Sequence, residues 1–395
     1  MRVSGASSDI SGLDAWVTYV SDKTTWIFIR LRSGDGFEGW GEATRFGAEE
    51  AVLAEISLAK RLIVGKGLAL PAGALVALRM AHASEARHAV INAVEQALLD
   101  ITARRAGLPL SALLGGPYRR SIACYANINR GTLDRSPQGF AARALTIADG
   151  QGYSAIKIAP FDGLNWLYVS PAEGRKLLQA GIDRILSVRE AIGPDRLLLV
   201  DCHWRLSPVM ALDVLRETDA ARLFWLEDAL DDAAFEANDK RRLRDAANLR
   251  GVRTAGGEKI ATLGGMRDLL QTGGSDVILP DLRVSGIRDG MTMLNLAAAS
   301  GVEVSIHNPV GPVLDAISVH VAAAMSSFLI LEGQVAETPL FDQIAGGGRQ
   351  LSEGQRQVSG APGIGFSPEI EHLTTELTPR RAATFAGVAG AGADG

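Results

Sequence analysis

Six acidic or imidazole side chains lie at the ends of six successive apolar runs, and this arrangement constrains the fold more than any other feature. They are Asp201, Glu227, Glu258, Asp281, His307 and Glu332. Neighbouring members are 23 to 31 residues apart, which is about the length of one strand, one helix and two short loops. In a parallel barrel the carboxyl ends of the strands meet at one mouth, where such barrels keep their chemistry. The spacing therefore predicts an α/β barrel enzyme with these side chains at its mouth.

The sequence before this repeat has a different pattern. Residues Thr24–Ala43 alternate apolar and polar side chains around a Gly-Asp-Gly turn, which predicts an antiparallel hairpin. Apolar residues at helical spacing follow at Ala48–Ile63 and Arg87–Arg105. From Ser121 onward short apolar strands alternate with helical segments, among them Pro171–Ile192 and Ile287–Ala299, which favours a parallel sheet closed into a barrel. The chain is long enough, at 395 residues, for a barrel and a smaller partner domain.

Composition excludes several classes of partner. The net charge of −5 and the absence of a Lys/Arg-rich block give no electrostatic case for nucleic-acid binding. No apolar run approaches the roughly 18 residues of a membrane-spanning helix. Cys124 and Cys202 lie in apolar runs and are expected to be reduced core residues. We therefore expect a cytoplasmic protein that acts on a small molecule, with a disordered glycine-rich tail at Gly387–Gly395.

Several short motifs are similar, in order, to those of the mandelate racemase-like branch of the enolase superfamily. GWGEA (Gly39–Ala43) resembles the end of the family's cap hairpin, and Ala89–Gly116 resembles its helix-to-barrel entry. GYSAIKIAP, VDCH, WLED, GGE, LPD, IHNP and ILE then follow in the family's order. The resemblance implies a modified (β/α)8 (TIM-like) barrel at residues 118–345 under an α+β capping domain. That cap would comprise residues 1–117 and the returning C-terminal segment 346–395. We also expect a homo-oligomer.

The resemblance further implies a divalent metal, usually Mg²⁺, bound by Asp201, Glu227 and Glu258. The chemistry justifies these residue types independently. A proton alpha to a carboxylate is too weakly acidic for a side-chain base unless the resulting ene-diolate is stabilised, and enolase-type sites do this with a metal and a Lys or His base. Carboxylate oxygens suit hard Mg²⁺ better than zinc. Three like charges in one barrel mouth would also be costly without a cation.

His307 and Asp281 are predicted to form a catalytic dyad, in which the carboxylate orients the ring and raises its basicity. Glu332 resembles the family's last-strand glutamate, which donates a hydrogen bond to the substrate carboxylate when protonated. Lys157, in GYSAIKIAP, is expected to stabilise the substrate carboxylate or to act as the base itself. The sequence leaves open whether Lys157 or the dyad removes the proton.

Two positions separate dehydration from racemisation. Racemases of the family resemble each other in a Lys-x-Lys motif, whose second lysine is typically the base on one substrate face; here Ala159 stands in that position. His203, two residues after Asp201, matches the histidine of several sugar-acid dehydratases. Residues two apart on a strand share a face, so both side chains can point into the site, and His203 could protonate a departing β-hydroxyl. We therefore predict a Mg²⁺-dependent sugar-acid dehydratase that acts on an aldonate or aldarate and yields a 2-keto-3-deoxy acid.

Two alternatives remain at this point. The first is a racemase or epimerase of a 2-hydroxy or amino acid, with Lys157 and His307 as opposed bases. The second is a degenerate barrel that binds a ligand without catalysis. A muconate-type cycloisomerase is disfavoured, because members of that branch resemble one another in having a lysine and no dyad at the places of Asp281 and His307. Substrate specificity is expected from cap loops and from residues after the first barrel strand. The predicted substrate-binding residues are Thr44, Arg45, Phe46, Asn127, Asn129 and Arg130.

Overall fold

The structure is a computed structural model that describes residues 9–45, 47–67, 75, 84–369, 372 and 373. The predicted substrate contact at Phe46 and the predicted disordered tail at Gly387–Gly395 lie outside these residues. None of the described helices is long and apolar enough to cross a membrane.

Three antiparallel strands form the cap sheet: β1 (Ile10–Ser21), β2 (Thr24–Ser33) and β3 (Glu38–Glu42). The predicted hairpin is the β2–β3 pair, whereas β1 was not predicted from the sequence. Helices α1 (Glu49–Ile63) and α2 (Glu85–Ala106) cover this sheet, and a short helix α3 (Leu110–Leu113) leads out of it.

The glycines of the GWG motif explain how closely α2 approaches β3. A Cβ atom at Gly39 would collide with the backbone oxygen of Ala97, and one at Gly41 with that of Ala93. Both helix residues are fully buried. The two glycines are therefore required by backbone-to-backbone contact rather than by a turn.

Within the described residues, eight parallel strands close into a barrel, which confirms the predicted fold class. They are β4 (Ser121–Asn127), β5 (Ala155–Ile158), β6 (Leu197–Asp201), β7 (Trp225–Glu227), β8 (Arg253–Gly256), β9 (Val277–Ile278), β10 (Glu303–Val304) and β11 (Leu331–Gln334). Neighbours pair in chain order, and β11 pairs with β4 to close the ring. A bridge between Ile306 and Leu331 joins the β10 and β11 chains.

Helices on the outside follow the strands. They are α4 (Pro137–Gln151), α5 (Pro171–Ile192), α6 (Pro208–Glu217), α7 (Ala237–Asn248), α8 (Leu263–Thr272), α9 (Leu282–Ser285), α10 (Ile287–Ala299), α11 (Pro312–Ala324) and α12 (Leu340–Ala345). Three of them begin with the dipeptide Ser-Pro: the hydroxyls of Ser136, Ser170 and Ser207 each accept a hydrogen bond from the first helical turn. The proline that follows supplies a helical φ and lacks the N–H that would be unsatisfied there.

The C-terminal segment joins the barrel before it reaches the cap. Strands β12 (Leu351–Ser352) and β13 (Gln355–Gln357) form a hairpin, and β13 pairs antiparallel with the start of β4. Further on, Asp100 on α2 accepts a hydrogen bond from the backbone of Ile364. The domain boundaries after residues 117 and 345 stay proposals from the sequence.

Two buried side chains of the cap hold the barrel loops. The Glu42 carboxylate accepts hydrogen bonds from Gly311 N (2.7 Å) and Leu314 N (3.1 Å) at the start of α11. Burial raises the pKa of Glu42 to about 7, against these backbone hydrogen bonds, which lower it. The Asn92 amide donates to the backbone oxygens of Arg283 and Val284, at 2.8 and 3.0 Å. The cap is therefore fixed to two segments that follow barrel strands.

A buried histidine predicts how stability depends on pH. His320 on α11 is 1% exposed, its Nδ1 accepts a hydrogen bond from Ser111 N, and burial lowers its pKa from 6.5 to about 4. Between pH 4 and pH 6.5, His320 therefore binds a proton in the unfolded chain but not in the folded protein. Its contribution to the free energy of unfolding is complete above pH 6.5 and decreases toward pH 4. We expect a loss of about 1 kcal/mol per pH unit from this group.

Urea unfolding at pH 7, 6 and 5 of the wild type and of His320→Asn measures this contribution. The asparagine oxygen can still accept from Ser111, so the variant should show a flatter dependence on pH. Parallel slopes for the two proteins would show that His320 does not carry the effect.

Candidate active site at the barrel mouth

The three predicted metal ligands come from consecutive strands. Asp201 and Glu227 are the last residues of β6 and β7 and lie opposite each other in register. Glu258 follows β8 by two residues. Asp201 is 3% exposed and Glu227 is fully buried. Parallel strand ends therefore place carboxylates side by side at the mouth.

Lys157 on β5 is the cation at the centre of these acids. Its Nζ lies 2.7 Å from Glu227 Oε1, 3.0 Å from Glu332 Oε1 and 3.8 Å from Asp201 Oδ2. The lysine is 1% exposed. Burial disfavours its charge, but the carboxylates of Glu227 and Glu332 outweigh burial and raise its pKa well above the usual value. Lys157 is thus a fixed ammonium group in this structure.

The groups that lie closest together at the mouth differ from the predicted metal ligands Asp201, Glu227 and Glu258 in one member. Among the described residues, Glu227, Glu258 and His307 bring potential ligand atoms within 4.8 Å of one another. Asp201 is turned aside, because its Oδ2 lies 3.0 Å from His203 Nε2 and its Oδ1 accepts a hydrogen bond from His203 N. The register opposite Glu227 keeps Asp201 adjacent to the cluster.

The electrostatics of this group fit a divalent cation. The pKa of Glu227 is raised to about 8, first by burial and then by Asp201 and Glu332, although Lys157 lowers it. Burial and these two acids therefore disfavour the ionised form of Glu227 even with Lys157 beside it, and a bound cation would stabilise that form. Oxygen ligands suit Mg²⁺.

His307 and Asp281 are in contact, as the sequence predicts. His307 Nδ1 lies 2.9 Å from Asp281 Oδ2, and its Nε2 lies 2.8 Å from Glu258 Oε2. Both ring nitrogens thus face carboxylates. Burial lowers the pKa of His307, but Glu258, Glu332 and the hydrogen bond with Asp281 together raise it well above the usual value.

Sequence reasoning missed Arg283, which shares the carboxylate of the dyad. Its Nε lies 3.0 Å from both oxygens of Asp281, and its Nη2 also contacts Oδ2. Asp281 Oδ1 further accepts a hydrogen bond from Arg283 N at 2.7 Å. Arg283 and His307 together hold Asp281 in one orientation. The signal in the sequence that could have identified Arg283 was its position two residues after Asp281.

Glu332 is held as an acceptor, contrary to its predicted role as a protonated donor. Its Oε1 accepts from Asn127 Nδ2 at 2.7 Å and contacts Lys157, while Oε2 accepts from Asn308 N at 2.7 Å. Burial raises its pKa, but Lys157, His307 and these hydrogen bonds outweigh burial and lower it. The carboxylate is therefore ionised in this structure.

His203 reaches Asp201 by a different route from the one predicted. Strand β6 ends at Asp201, and His203 and Trp204 both adopt left-handed backbone conformations, with φ of 49° and 57°. The alternation of a strand therefore does not apply to His203. Its ring bends back onto Asp201, which is the first cause of its raised pKa, and burial opposes that rise. Consecutive left-handed residues other than glycine are unfavourable and concentrate at functional sites.

A cavity of about 460 Å³ lies at the mouth between cap and barrel. Glu258, Asp281, Arg283, Trp204 and Lys259 line its barrel side. The cap contributes Arg45, Ser84, Glu85, His88 and Ala89. A larger cavity of about 630 Å³, beside Trp26, Gln334 and Arg349, contains none of the predicted site residues. The mouth cavity is therefore the candidate substrate pocket, since it holds the dyad's carboxylate and a candidate metal ligand.

The predicted substrate contacts divide into two groups. Arg45 lines the mouth cavity and pairs with Glu85. Thr44 is 3% exposed and accepts a hydrogen bond from Ile27 N within the cap, so the structure does not place it in the pocket.

The other three predicted substrate contacts are Asn127, at the end of β4, and Asn129 and Arg130 just after it, and each contacts another protein group, Asn129 through its backbone. Asn127 binds Glu332 and accepts from Asn129 N. Arg130 Nη1 lies 3.6 Å from Glu337. Their predicted contact with substrate stays a prediction.

Comparison with known proteins places this architecture in a family. The N-terminal domain of mandelate racemase/muconate lactonizing enzymes matches residues 15–115, and the enolase C-terminal domain-like family matches residues 139–372. The chain therefore belongs to the mandelate racemase/muconate lactonizing enzyme family, as its motifs indicated. In fold, it superimposes with a TM-score of 0.82 on a mandelate racemase/muconate lactonizing enzyme-like protein from Roseovarius sp. TM1035. The two are 22% identical, over 94% of this chain and 96% of that one.

Two relatives are named as dehydratases of sugar acids. The D-gluconate dehydratase of Thermoproteus tenax is 32% identical over 279 residues, which are 70% of this chain and 54% of that protein. The chain thus matches about half the length of this relative. The D-xylonate dehydratase of Haloferax volcanii is 26% identical over 94% of this chain and 90% of that protein.

Mg²⁺ binding by single variants distinguishes the two possible ligand sets. We expect Asp201→Asn and Glu227→Gln each to weaken Mg²⁺ affinity by about tenfold or more, because each removes a charged oxygen ligand. His307→Asn should leave the affinity close to that of the wild type. Isothermal titration calorimetry measures all three variants. A weakened His307→Asn together with an unaffected Asp201→Asn would replace the aspartate by the histidine in the ligand set.

Proposed function

We propose that this protein is a Mg²⁺-dependent dehydratase of a sugar acid. It would remove the proton alpha to the carboxylate and expel the β-hydroxyl, giving a 2-keto-3-deoxy acid. The observation that carries this proposal is that His307–Asp281 and His203–Asp201, two histidine–carboxylate pairs, lie on either side of Glu258 and Glu227. One base and one separate acid are what elimination of water requires. The activities of the two dehydratase relatives add support.

The metal would be held by Asp201, Glu227 and Glu258. When bound, Mg²⁺ supplies positive charge that offsets the negative charge developed when a proton leaves the carbon next to a carboxylate. Lys157 adds a fixed positive charge beside the same acids. Arg45 and Arg283 line the pocket in which the rest of the substrate would lie.

His307 would act as the base. Its Nδ1 is held by Asp281, and its Nε2, which faces Glu258 in this structure, would take the α proton when Glu258 serves as a metal ligand instead. The carboxylate fixes the ring and stabilises the imidazolium that forms, as in other histidine–carboxylate pairs.

His203 would act as the acid. Its ring is 36% exposed and follows the strand next to that of Lys157, and the contact with Asp201 raises its pKa and so favours the protonated form. It would give this proton to the β-hydroxyl as the C–O bond breaks, so that water leaves. The enol that remains then takes a proton at the β carbon to become the keto acid.

A racemase is the second candidate, and the surroundings of Lys157 disfavour it. Racemisation needs a base on each face of the substrate, and Lys157 would have to be the second. Its Nζ is instead held by Glu227 and Glu332, with Asp201 nearby. The position where the family's racemases place their basic lysine is Ala159. A homo-oligomer in the cytoplasm remains the expectation from the sequence.

The dyad can be tested by removing its base or its orienting carboxylate. His307→Asn should lower kcat by about 10²–10⁴, the usual contribution of a general base. Asp281→Asn should lower it in the same direction, because the ring loses its orientation. The measurement is 2-keto acid formation from a panel of aldonic and aldaric acids with Mg²⁺. Wild-type turnover by His307→Asn would sink the assignment.

Deuterium exchange separates the acid from the base. In D₂O, His203→Asn should still exchange the α proton of an active sugar acid but form little keto acid, since proton removal does not need the acid. NMR follows both events in one sample. Interconversion of epimers by the wild type without a keto product would favour the racemase. Normal elimination by His203→Asn would instead require a different acid, with Lys157 the next candidate.

A further inference from the structure

A buried ion pair lies behind the mouth and connects the C-terminal hairpin to the barrel. Arg356 on β13 contacts the carboxylate of Asp315 on α11, and their side chains are 6% and 5% exposed. Neither residue lines the mouth cavity. Burying two charges costs desolvation energy that their attraction does not reliably repay, so stability alone is a weak explanation for such a pair.

Asp315 reaches the active site through Asn308, the residue after His307. The Asn308 side-chain nitrogen Nδ2 donates to Asp315 Oδ1 at 3.0 Å and to the backbone oxygen of Glu332 at 3.0 Å. The two donors of this amide group are thus both used. In the flipped orientation the amide oxygen would face two acceptors, which repel it. Asp315 and the Glu332 backbone therefore fix how Asn308 points.

The backbone of Asn308 then binds the side chain of Glu332. Asn308 N donates to Glu332 Oε2 at 2.7 Å, and Asn308 is 1% exposed. A displacement of Asn308 would move a hydrogen-bond donor to Glu332 and the backbone that follows His307. One residue thus couples the predicted base to the carboxylate beside Lys157.

We infer that Asp315 and Arg356 are positioning residues for the reaction. Asp315 orients Asn308, and Arg356 fixes Asp315 and neutralises a charge that would otherwise face the site from behind. Arg356 lies in a strand that pairs with β4, the strand that carries Asn127. Because Asn127 and Asn308 bind the two different oxygens of Glu332, the hairpin acts on the same carboxylate from two sides. This inference rests on the proposed function of the mouth.

The test compares two exchanges at Arg356. Arg356→Met, which keeps the bulk and removes the charge, should lower the rate of α-proton exchange in D₂O by about tenfold, with KM and Mg²⁺ affinity unchanged. Arg356→Lys keeps the charge and should recover a large part of the lost rate. A residue that only stabilised the fold would change the unfolding midpoint without changing the rate of the folded enzyme.

A control removes a more exposed ion pair, on β8 and β10, that contacts none of the mouth residues. Arg253, at the start of β8, lies 2.5 Å from Glu303, at the start of β10. Arg253→Met should leave the exchange rate of the folded enzyme unchanged. A tenfold loss in this control as well would show that any missing ion pair has the effect, and would overturn the inference.

A double variant tests whether the effect passes through Asn308. If it does, adding Arg356→Met to Asn308→Ala should cause little further loss, because the connection is already broken. Losses that multiply in the double variant, or normal exchange in Arg356→Met, would overturn the inference. Exchange of the α proton is common to dehydratases and racemases. Wild-type exchange without keto acid would therefore contradict the proposed dehydratase, while the same variants would still decide the role of Arg356.

Discussion

The contact of Lys157 with Glu227 and Glu332 is the constraint on which the mouth depends. Each of these groups is buried, and a buried carboxylate or ammonium is stable only with a partner. The lysine comes from β5 and the two acids from β7 and β11. Their contact therefore ties together strands from opposite parts of the ring. Even beside Lys157, burial and the neighbouring acids disfavour the ionised form of Glu227, and a bound cation would stabilise that form. The cluster of buried acids around Lys157 therefore lowers stability and at the same time favours the binding of a metal ion.

The cap takes part in this organisation through few, well-placed contacts. Glu42 satisfies backbone N–H groups at the start of α11, the helix that carries Asp315. Asn92 binds the backbone beside Arg283, which in turn holds Asp281 of the dyad. A change of cap position would therefore be felt at the dyad as well as at the pocket wall. This gives a physical reason why a pocket lined by both domains stays aligned with catalytic groups that lie in the barrel.

Sequence patterns succeeded where local periodicity was strong. The helices predicted at Pro171–Ile192 and Ile287–Ala299 have the same bounds in the structure. Helix α7 was not predicted, because it is almost entirely polar and buries only Leu243 and Ala247. Strand β1 escaped prediction as well; its burial does not follow a strict alternation. At the site, the strand ends placed Asp201 and Glu227 correctly, but the left-handed turn after Asp201 overturned the expected path to His203.

By itself, the sequence determined the barrel, the cap hairpin and the set of polar residues at the strand ends. Those features follow from local sequence patterns: the periodicity of apolar residues, the Ser-Pro dipeptides that begin helices, and the regular spacing of the strand ends. Only the tertiary structure decided which partner each charged group takes. It turned Asp201 toward His203, placed Arg283 on Asp281, and held Glu332 between Asn127 and Asn308. Such choices depend on burial and on residues distant in sequence, because each charge pairs with whichever groups the closed barrel brings near it.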